Sequence, residues 1–299
     1  MKGSQGSLGS PGPLPVPIVP TVPTVPAVPP GRWPAPPLVK ASIGLHAMAL
    51  GTAALMPETL GWALGSVGLN HVALTAAGLW PRSTLLGPNL RRLPAPANSR
   101  RAFALTFDDG PDPEVTPALL DWLEAEGIRA TFFCIAERAL THPALVRRIV
   151  LRGHSVQNHS HSHRHSFALL GPAAMAREVG RAQQVLADIS GAPPHCFRAP
   201  AGLRNPFLDL VLHRLGLTLV SWTRRGFDTR SGDPQLVLAR LARNLGPGDI
   251  LLLHDGHARR TGAGRAVVLE VLPQLIAQCR AAGLHAETLR EAVPPRGLD

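Results

Sequence analysis

Four short polar clusters carry side chains suited to hydrolytic chemistry, and each follows an apolar run. In Thr106-Phe107-Asp108-Asp109-Gly110-Pro111, two adjacent carboxylates end such a run. Neighbouring carboxylates repel and point different ways along an extended chain, so one can hold a metal while the other acts as a base beside it; Gly-Pro then turns the chain. The plain alternative is an acidic turn. His159-Ser160-His161-Ser162-His163, with His154 and His165 nearby, supplies imidazoles four residues apart. One helical turn would put His159 and His163 on one face. Two imidazoles and one carboxylate form a three-ligand set with a position left for water, as catalytic zinc requires. A His-rich surface loop would read the same way, and His161 and His165 are taken as bystanders.

Phe197-Arg198-Ala199-Pro200-Ala201-Gly202 sends an arginine from an apolar run into a Pro/Gly turn. Such an arginine can clamp a carboxylate, and the turn exposes backbone N–H groups able to stabilise an oxyanion. A basic surface turn is the competing reading. Leu252-Leu253-His254-Asp255-Gly256 puts a histidine at the mouth of a buried strand, where a proton donor would stand. Taken alone, such a histidine is more often structural.

These groups need a scaffold that gathers them. From about Arg101 onward, apolar runs at 102–107, 130–136, 154–158, 195–199, 217–222, 249–254 and 285–289 are separated mostly by helical patterns at 117–126, 143–152, 172–190, 205–215, 233–245 and 265–282. This alternation predicts an α/β protein with parallel strands. Seven strands suggest an irregular (β/α) barrel rather than a regular eight-stranded one. Catalytic groups then belong at the C-terminal ends of strands, and all four clusters fall there.

In this order and spacing, TFDDG, H-S-x-x-H, R-x-P-x-G and L-x-H resemble the motifs of the NodB-homology polysaccharide deacetylases, carbohydrate esterase family 4, over about residues 101–290. The resemblance implies an irregular seven-stranded (β/α) barrel and a metal-dependent hydrolase that removes N-acetyl groups from an N-acetylated sugar or polysaccharide. It implies that Asp109, His159 and His163 bind a divalent metal, usually zinc; the same donor set accepts cobalt, nickel or manganese. It further implies Asp108 as the base activating water, His254 as the acid protonating the leaving amine, Arg198 as the group orienting Asp108, and the Ala201 N–H as an oxyanion donor.

The chain also departs from the family pattern. Ala201 stands where an aromatic residue is common. A further family motif, usually Asp-x-x-Asp-Trp, matches Trp222-Thr223-Arg224-Arg225-Gly226-Phe227-Asp228-Thr229 only in part. Asp228 fits the second Asp, with Arg198 as its expected partner; Arg225 replaces the first Asp, and Thr229 replaces the Trp that walls the pocket. Added charge and a lost wall argue against a plain chitin-like or peptidoglycan-like substrate and hint at an anionic one, such as a lipid-linked phosphosugar. Two other readings stay open: a deformylase or other amide hydrolase acting on a lipid-linked or small substrate, and a catalytically silent glycan-binding membrane protein. The complete set of metal and acid–base residues argues against the last.

The expected domains are a Pro-rich tail (1–37), one or two membrane-associated helices (38–81), a linker (82–100), the catalytic domain (101–292) and a short tail (293–299). Val-Pro repeats at 15–30 predict extended, polyproline-like chain without a core. The stretch 60–80 has 21 uncharged residues, and as a helix its roughly 31 Å would match a hydrocarbon core of about 30 Å. Asn70 and His71 inside it need partners. The stretch 41–56 is shorter than a span unless Lys40 snorkels, and Met56-Pro57-Glu58 breaks the two into an apolar helical hairpin. Association with a bacterial-type inner membrane through 38–80 is therefore expected, without the compact signal of a secreted chain. Bases lie on both sides (Arg32 and Lys40; Arg82, Arg91, Arg92, Arg100 and Arg101), which leaves the face of the catalytic domain open. Net charge is +10 and only Lys2 and Lys40 are lysines, a balance that favours anionic surroundings. The arginines are scattered and lack aromatic stacking partners, so nucleic acid is not the expected partner. Cys134, Cys196 and Cys279 form neither a disulfide framework nor a metal knuckle.

Overall fold

The apolar runs become parallel strands because both of their faces are covered. The computed structural model describes residues 31–296. The Val-Pro stretch and the last three residues of the expected C-terminal tail lie outside the described residues. The strands are β1 (Ala102–Asp108), β2 (Thr131–Cys134), β3 (Ser155–Asn158), β4 (Cys196–Phe197), β5 (Thr218–Leu219), β6 (Arg224–Arg225) and β7 (Ile250–His254). They pair in the order β5-β4-β3-β2-β1-β7-β6, every neighbour parallel, and β8 (His285–Ala286) joins the start of β1. The sheet is the expected irregular (β/α) barrel, with no β5–β6 pairing. One strand, β6, was not legible as an apolar run because it consists of two arginines.

Along β1, alternate residues serve two cores. Phe103, Leu105 and Phe107 meet Leu119, Leu120 and Leu123 of α4 (Val115–Ala125) and Val271 and Leu275 of α10 (Val267–Ala281). Ala102 and Ala104 face the barrel interior with Phe133, Cys196, Trp222 and Leu252. Small residues on that inner face leave room for the larger side chains of neighbouring strands. Helices α6 (Pro143–Leu151), α7 (Pro172–Ser190), α8 (Leu208–Arg214) and α9 (Pro234–Ala242) fall within the predicted helical stretches. An unpredicted helix, α5 (Ala136–Thr141), begins at the last residue of the 130–136 run. Its first two N–H groups, on Ala136 and Glu137, donate to the carbonyls of Ser160 and His161, so the histidine loop itself satisfies the helix start.

The predicted hairpin is present as α1 (Pro37–Leu55) and α2 (Leu60–Leu79), separated by a tight turn at Pro57–Thr59. Asn70 donates to Ser42 Oγ at 2.9 Å and His71 lies 3.3 Å from His46, so the polar residues of α2 find partners on α1. Among the described residues, α1 is the one helix long and apolar enough to cross a membrane. The sequence favours 60–80 instead; Asn70 and His71 interrupt the apolar run of α2, and α1 gains an extra turn from Pro37. The hairpin packs Val39, Leu74 and Ala77 against Leu86. It meets the barrel where Arg204 N–H donates to the Gly78 carbonyl, and Trp33, just before α1, donates from Nε1 to Asp209 Oδ2 at 2.8 Å. Its other surface exposes Ile43, Met48, Leu50, Trp62, Leu64, Leu69 and Val72.

Within residues 82–100, read from the sequence as a linker and containing a short helix, α3 (Ala95–Ser99), Leu90 covers the free edge of β5. Leu90 N–H donates to the Leu219 carbonyl, and Ser221 N–H donates back to Leu90. Asn89 ties the carbonyls of Pro81 and Ser83 together. An unpaired strand edge needs such a cover, and composition gave no sign of it.

Gly78, near the end of α2, has no room for a Cβ against the Arg204 carbonyl, whose own N–H donates to Gly78. Gly78→Ala is expected to cost about 1–3 kcal/mol, read as a lower urea midpoint. Gly68→Ala, in the same helix with open space around it, should leave the midpoint unchanged or raise it slightly.

Candidate active site

The register of the central strands brings the first and last clusters together. Asp108 is the Cα partner of both Phe133 on β2 and His254 on β7, so the base candidate and the acid candidate leave the sheet at the same level. Asp109 then turns into the left-handed region, φ 72°. Arg138 Nη1 holds its carbonyl at 2.9 Å, and Gly110 passes so close to the Asp255 carboxyl that no Cβ fits.

The histidine cluster is a loop; the single helical turn expected for it does not form. Ser160 and His163 take positive φ (68° and 49°). The loop is shaped by its own polar side chains: Ser160 N–H donates to Asn158 Oδ1, His163 N–H donates to Ser160 Oγ, and Ser162 donates from N and Oγ to Glu178 of α7. Such local bonds offer the backbone an alternative to helix. The two rings still meet, with centroids 4.8 Å apart. His161 lies 3.7 Å from Glu137, away from the triad, while His165 lines the cleft.

Asp109, His159 and His163 converge, with one ligand atom from each within 4.8 Å of the others. Asp109 Oδ1 is 3.2 Å from Nε2 of both histidines. His159 Nδ1 lies 2.8 Å from the Arg198 carbonyl, which can only accept, so in the neutral ring Nε2 presents a lone pair toward Asp109. Asp109 Oδ1 is buried with no aligned donor. Lone pairs gathered in this way call for a cation, and two imidazole nitrogens with one carboxylate oxygen match a catalytic zinc donor set. Burial lowers the His163 pKa to about 4, which keeps it an unprotonated ligand. Burial would raise the Asp109 pKa, but the imidazoles of His159 and His257 beside it outweigh that and hold the carboxyl below its usual range.

Arg198, fully buried, reaches across the barrel interior. It donates to Asp108 Oδ1 at 2.6 Å, Thr106 Oγ1 at 2.9 Å, the Ser221 carbonyl at 3.0 Å and the Val220 carbonyl at 3.3 Å, and it sits 4.0 Å from the Phe133 ring centroid. The expected pairing of Asp228 with Arg198 does not occur, because these partners occupy the guanidinium. Asp228 instead holds His254, accepting from its backbone N–H at 2.7 Å and facing Nδ1 at 2.8 Å. Burial lowers the His254 pKa, but the adjacent Asp228 charge and hydrogen bond outweigh it, and the net direction is up.

Ala201 sits in the turn Pro200–Gly202 with φ 54° and ψ 5°. It lines the same cleft, of about 600 Å³, as Asp108, Asp109, His159, His163 and His254. Positive φ is unfavourable for a residue with a Cβ and recurs at functional sites. Two features escaped the sequence reading. Trp222 walls the cleft; a Cβ on Gly202 would stand 2.7 Å from its ring and from Pro81. The aromatic wall missing at Thr229 is thus supplied from the start of the same motif, and the signal was a tryptophan closing an inward-facing apolar run. His257 lies with Nδ1 3.3 Å from Asp109 Oδ2, and its Nε2 is 2.7 Å from Arg138. Its position three residues after His254 was the available hint.

With this geometry established, comparison with known proteins is informative. The family model described as polysaccharide deacetylase matches residues 95–220. A chitooligosaccharide deacetylase of Azorhizobium caulinodans is 32% identical over 198 residues, 64% of this chain and 94% of the relative. The crystal structure of a family 4 carbohydrate esterase from Streptomyces lividans with acetate superposes with a TM-score of 0.58 at 33% identity, over 65% of this chain and 96% of that one. A peptidoglycan N-acetylglucosamine deacetylase, crystallised with an N-hydroxybenzamide compound, gives 0.62 at 26% identity, over 68% and 92%. Motifs, barrel and relatives agree, and the chain belongs to the NodB-homology polysaccharide deacetylases, carbohydrate esterase family 4.

Proposed function

We propose that this chain removes N-acetyl groups from an N-acetylated sugar, using a divalent metal held by Asp109, His159 and His163. The observation that carries the reading is the buried, donor-less Asp109 oxygen facing two imidazole nitrogens, beside Asp108 and His254. The relatives named above are deacetylases of chitooligosaccharide and of peptidoglycan N-acetylglucosamine, and the same amide chemistry suits this cleft.

The metal, for which zinc fits the donors best, would supply a polarised carbonyl and an acidified water. The chain's own groups divide the rest. Arg198 fixes Asp108 through Oδ1, which leaves Oδ2 to accept a proton from the attacking water. The Ala201 N–H would donate to the oxygen of the tetrahedral adduct. His254, oriented by Asp228, would pass a proton to the amide nitrogen as the C–N bond breaks, releasing acetate and a free amine. Asp228 is therefore a positioning residue.

Attachment to an inner membrane through the hairpin is part of the proposal. The exposed apolar side chains of α1 and α2 and the length of α1 support it. A lipid-linked sugar would reach a barrel anchored in this way, and the catalytic unit would begin near residue 82, since that stretch is bonded to β5.

Asp108→Asn should lower acetate release from N-acetylated chito-oligosaccharides by roughly 10²–10⁴-fold while leaving bound metal unchanged; full activity in the variant would remove Asp108 from the role of base. Asp228→Asn addresses the acid. His254 must be protonated to donate, and Asp228 raises its pKa, so activity is lost as pH rises through that raised value. Without the Asp228 charge the alkaline limb of the kcat–pH profile should move to lower pH, and an unmoved limb would separate Asp228 from the acid.

A further inference from the structure

Arg225 plays no part in the acid–base scheme, yet it faces it. It lies on β6 as the Cα partner of Leu252, two residues before His254. Its side chain lines the cleft with Asp108, Asp109 and His254. The guanidinium is 5.2 Å from the Trp222 ring centroid and 4.9 Å from that of Phe227, within cation–π range of both. Among the described residues its side chain forms no hydrogen bond and no ion pair, and Nε is buried without a partner. Burial pulls its pKa below the usual value.

The simplest alternative is that Arg225 balances the nearby carboxylates. Each of these, however, already has a closer partner: Asp108 has Arg198 at 2.6 Å, Asp228 has His254 at 2.8 Å, and Asp109 faces His159 and His163 at 3.2 Å. Glu137, on the cleft rim, is 3.7 Å from His161. Arg230 also lines the cleft and has no ion pair among the described residues. A partly desolvated guanidinium fork, flanked by two aromatic rings and hydrogen-bonded to no carboxylate among the described residues, is suited to a ligand oxyanion, which it can bind through two parallel N–H bonds.

We propose that Arg225, with Arg230 on the same cleft, binds an anionic group, a phosphate ester or a carboxylate, carried by the N-acetylated sugar. This rests on the deacetylase reading and narrows its substrate class.

The test titrates the full chain calorimetrically with N-acetylglucosamine, N-acetylglucosamine 1-phosphate and N-acetylmuramic acid, as wild type and as Arg225→Gln. At least one anionic sugar should bind the wild type on the order of tenfold or more tighter than the neutral one, and the preference should fall to within about twofold in Arg225→Gln. Whichever anion is preferred identifies phosphate or carboxylate as the recognised group. Equal binding of all three sugars, no detectable binding of either anionic sugar, or a preference that survives Arg225→Gln overturns the proposal; the last is what contact with the metal alone would give. The ratio within one preparation is independent of the fraction folded. Acetate release from neutral chito-oligosaccharides, measured in parallel, tests the deacetylase reading separately. Release without an anion preference removes only the anion subsite. An Arg225-dependent preference without release leaves the subsite and removes the proposed reaction.

Discussion

The site depends on one buried guanidinium. Arg198 lies inside the barrel with almost no exposure and ties Asp108 and Thr106 of β1 to the carbonyls of Val220 and Ser221 beyond β5. Leaving such a charge unpaired in the interior would be strongly unfavourable. Its donors therefore dictate where those four groups stand, across the part of the barrel where β5 and β6 do not pair. The carbonyl of Arg198 also faces His159 Nδ1 and fixes the ring's tautomer. A single residue thus aims the base through its side chain and a metal-ligand candidate through its backbone.

Around that residue the charges are arranged in local pairs. Asp108 is matched by Arg198, and Asp228 by His254; Asp109 has a buried oxygen without an aligned donor, and that oxygen faces two imidazoles. The two pairs assign distinct orientations to base and acid, while the unpaired Asp109 oxygen leaves a place for a cation. Trp222 and the turn at Ala201 line the same cleft as the carboxylates. The stretch from Trp80 to Leu90 then joins this wall to the apolar hairpin through Pro81, Asn89 and Ser221. The part of the chain proposed to meet lipid is thereby coupled to the rim of the reaction cleft.

Much of this was legible in the sequence because strand ends and motifs coincide: Asp108 closes β1 and His254 closes β7, and both were read as groups at strand mouths. The barrel followed from alternating apolar runs. What escaped was set by side-chain hydrogen bonds that periodicity does not carry. Ser160, Ser162 and Glu178 turn a presumed helical His-x-x-x-His spacing into a loop. Asp228 chose His254 over Arg198 because β6 pairs with β7, and a two-residue strand of arginines has no apolar signature. Residues 82–100 looked like a linker by composition, although an open strand edge takes up Leu90 from among them.

The central claim is that Asp109, His159 and His163 hold the ion on which amide hydrolysis depends. Its most direct test is acetate release from N-acetylated chito-oligosaccharide by the full chain as purified, after chelator treatment, and after zinc is restored, with bound metal counted at each stage. The account predicts about one ion per chain, release lost with the ion and recovered with zinc, and both lost together in His163→Ala. Undiminished release from metal-free protein would contradict it.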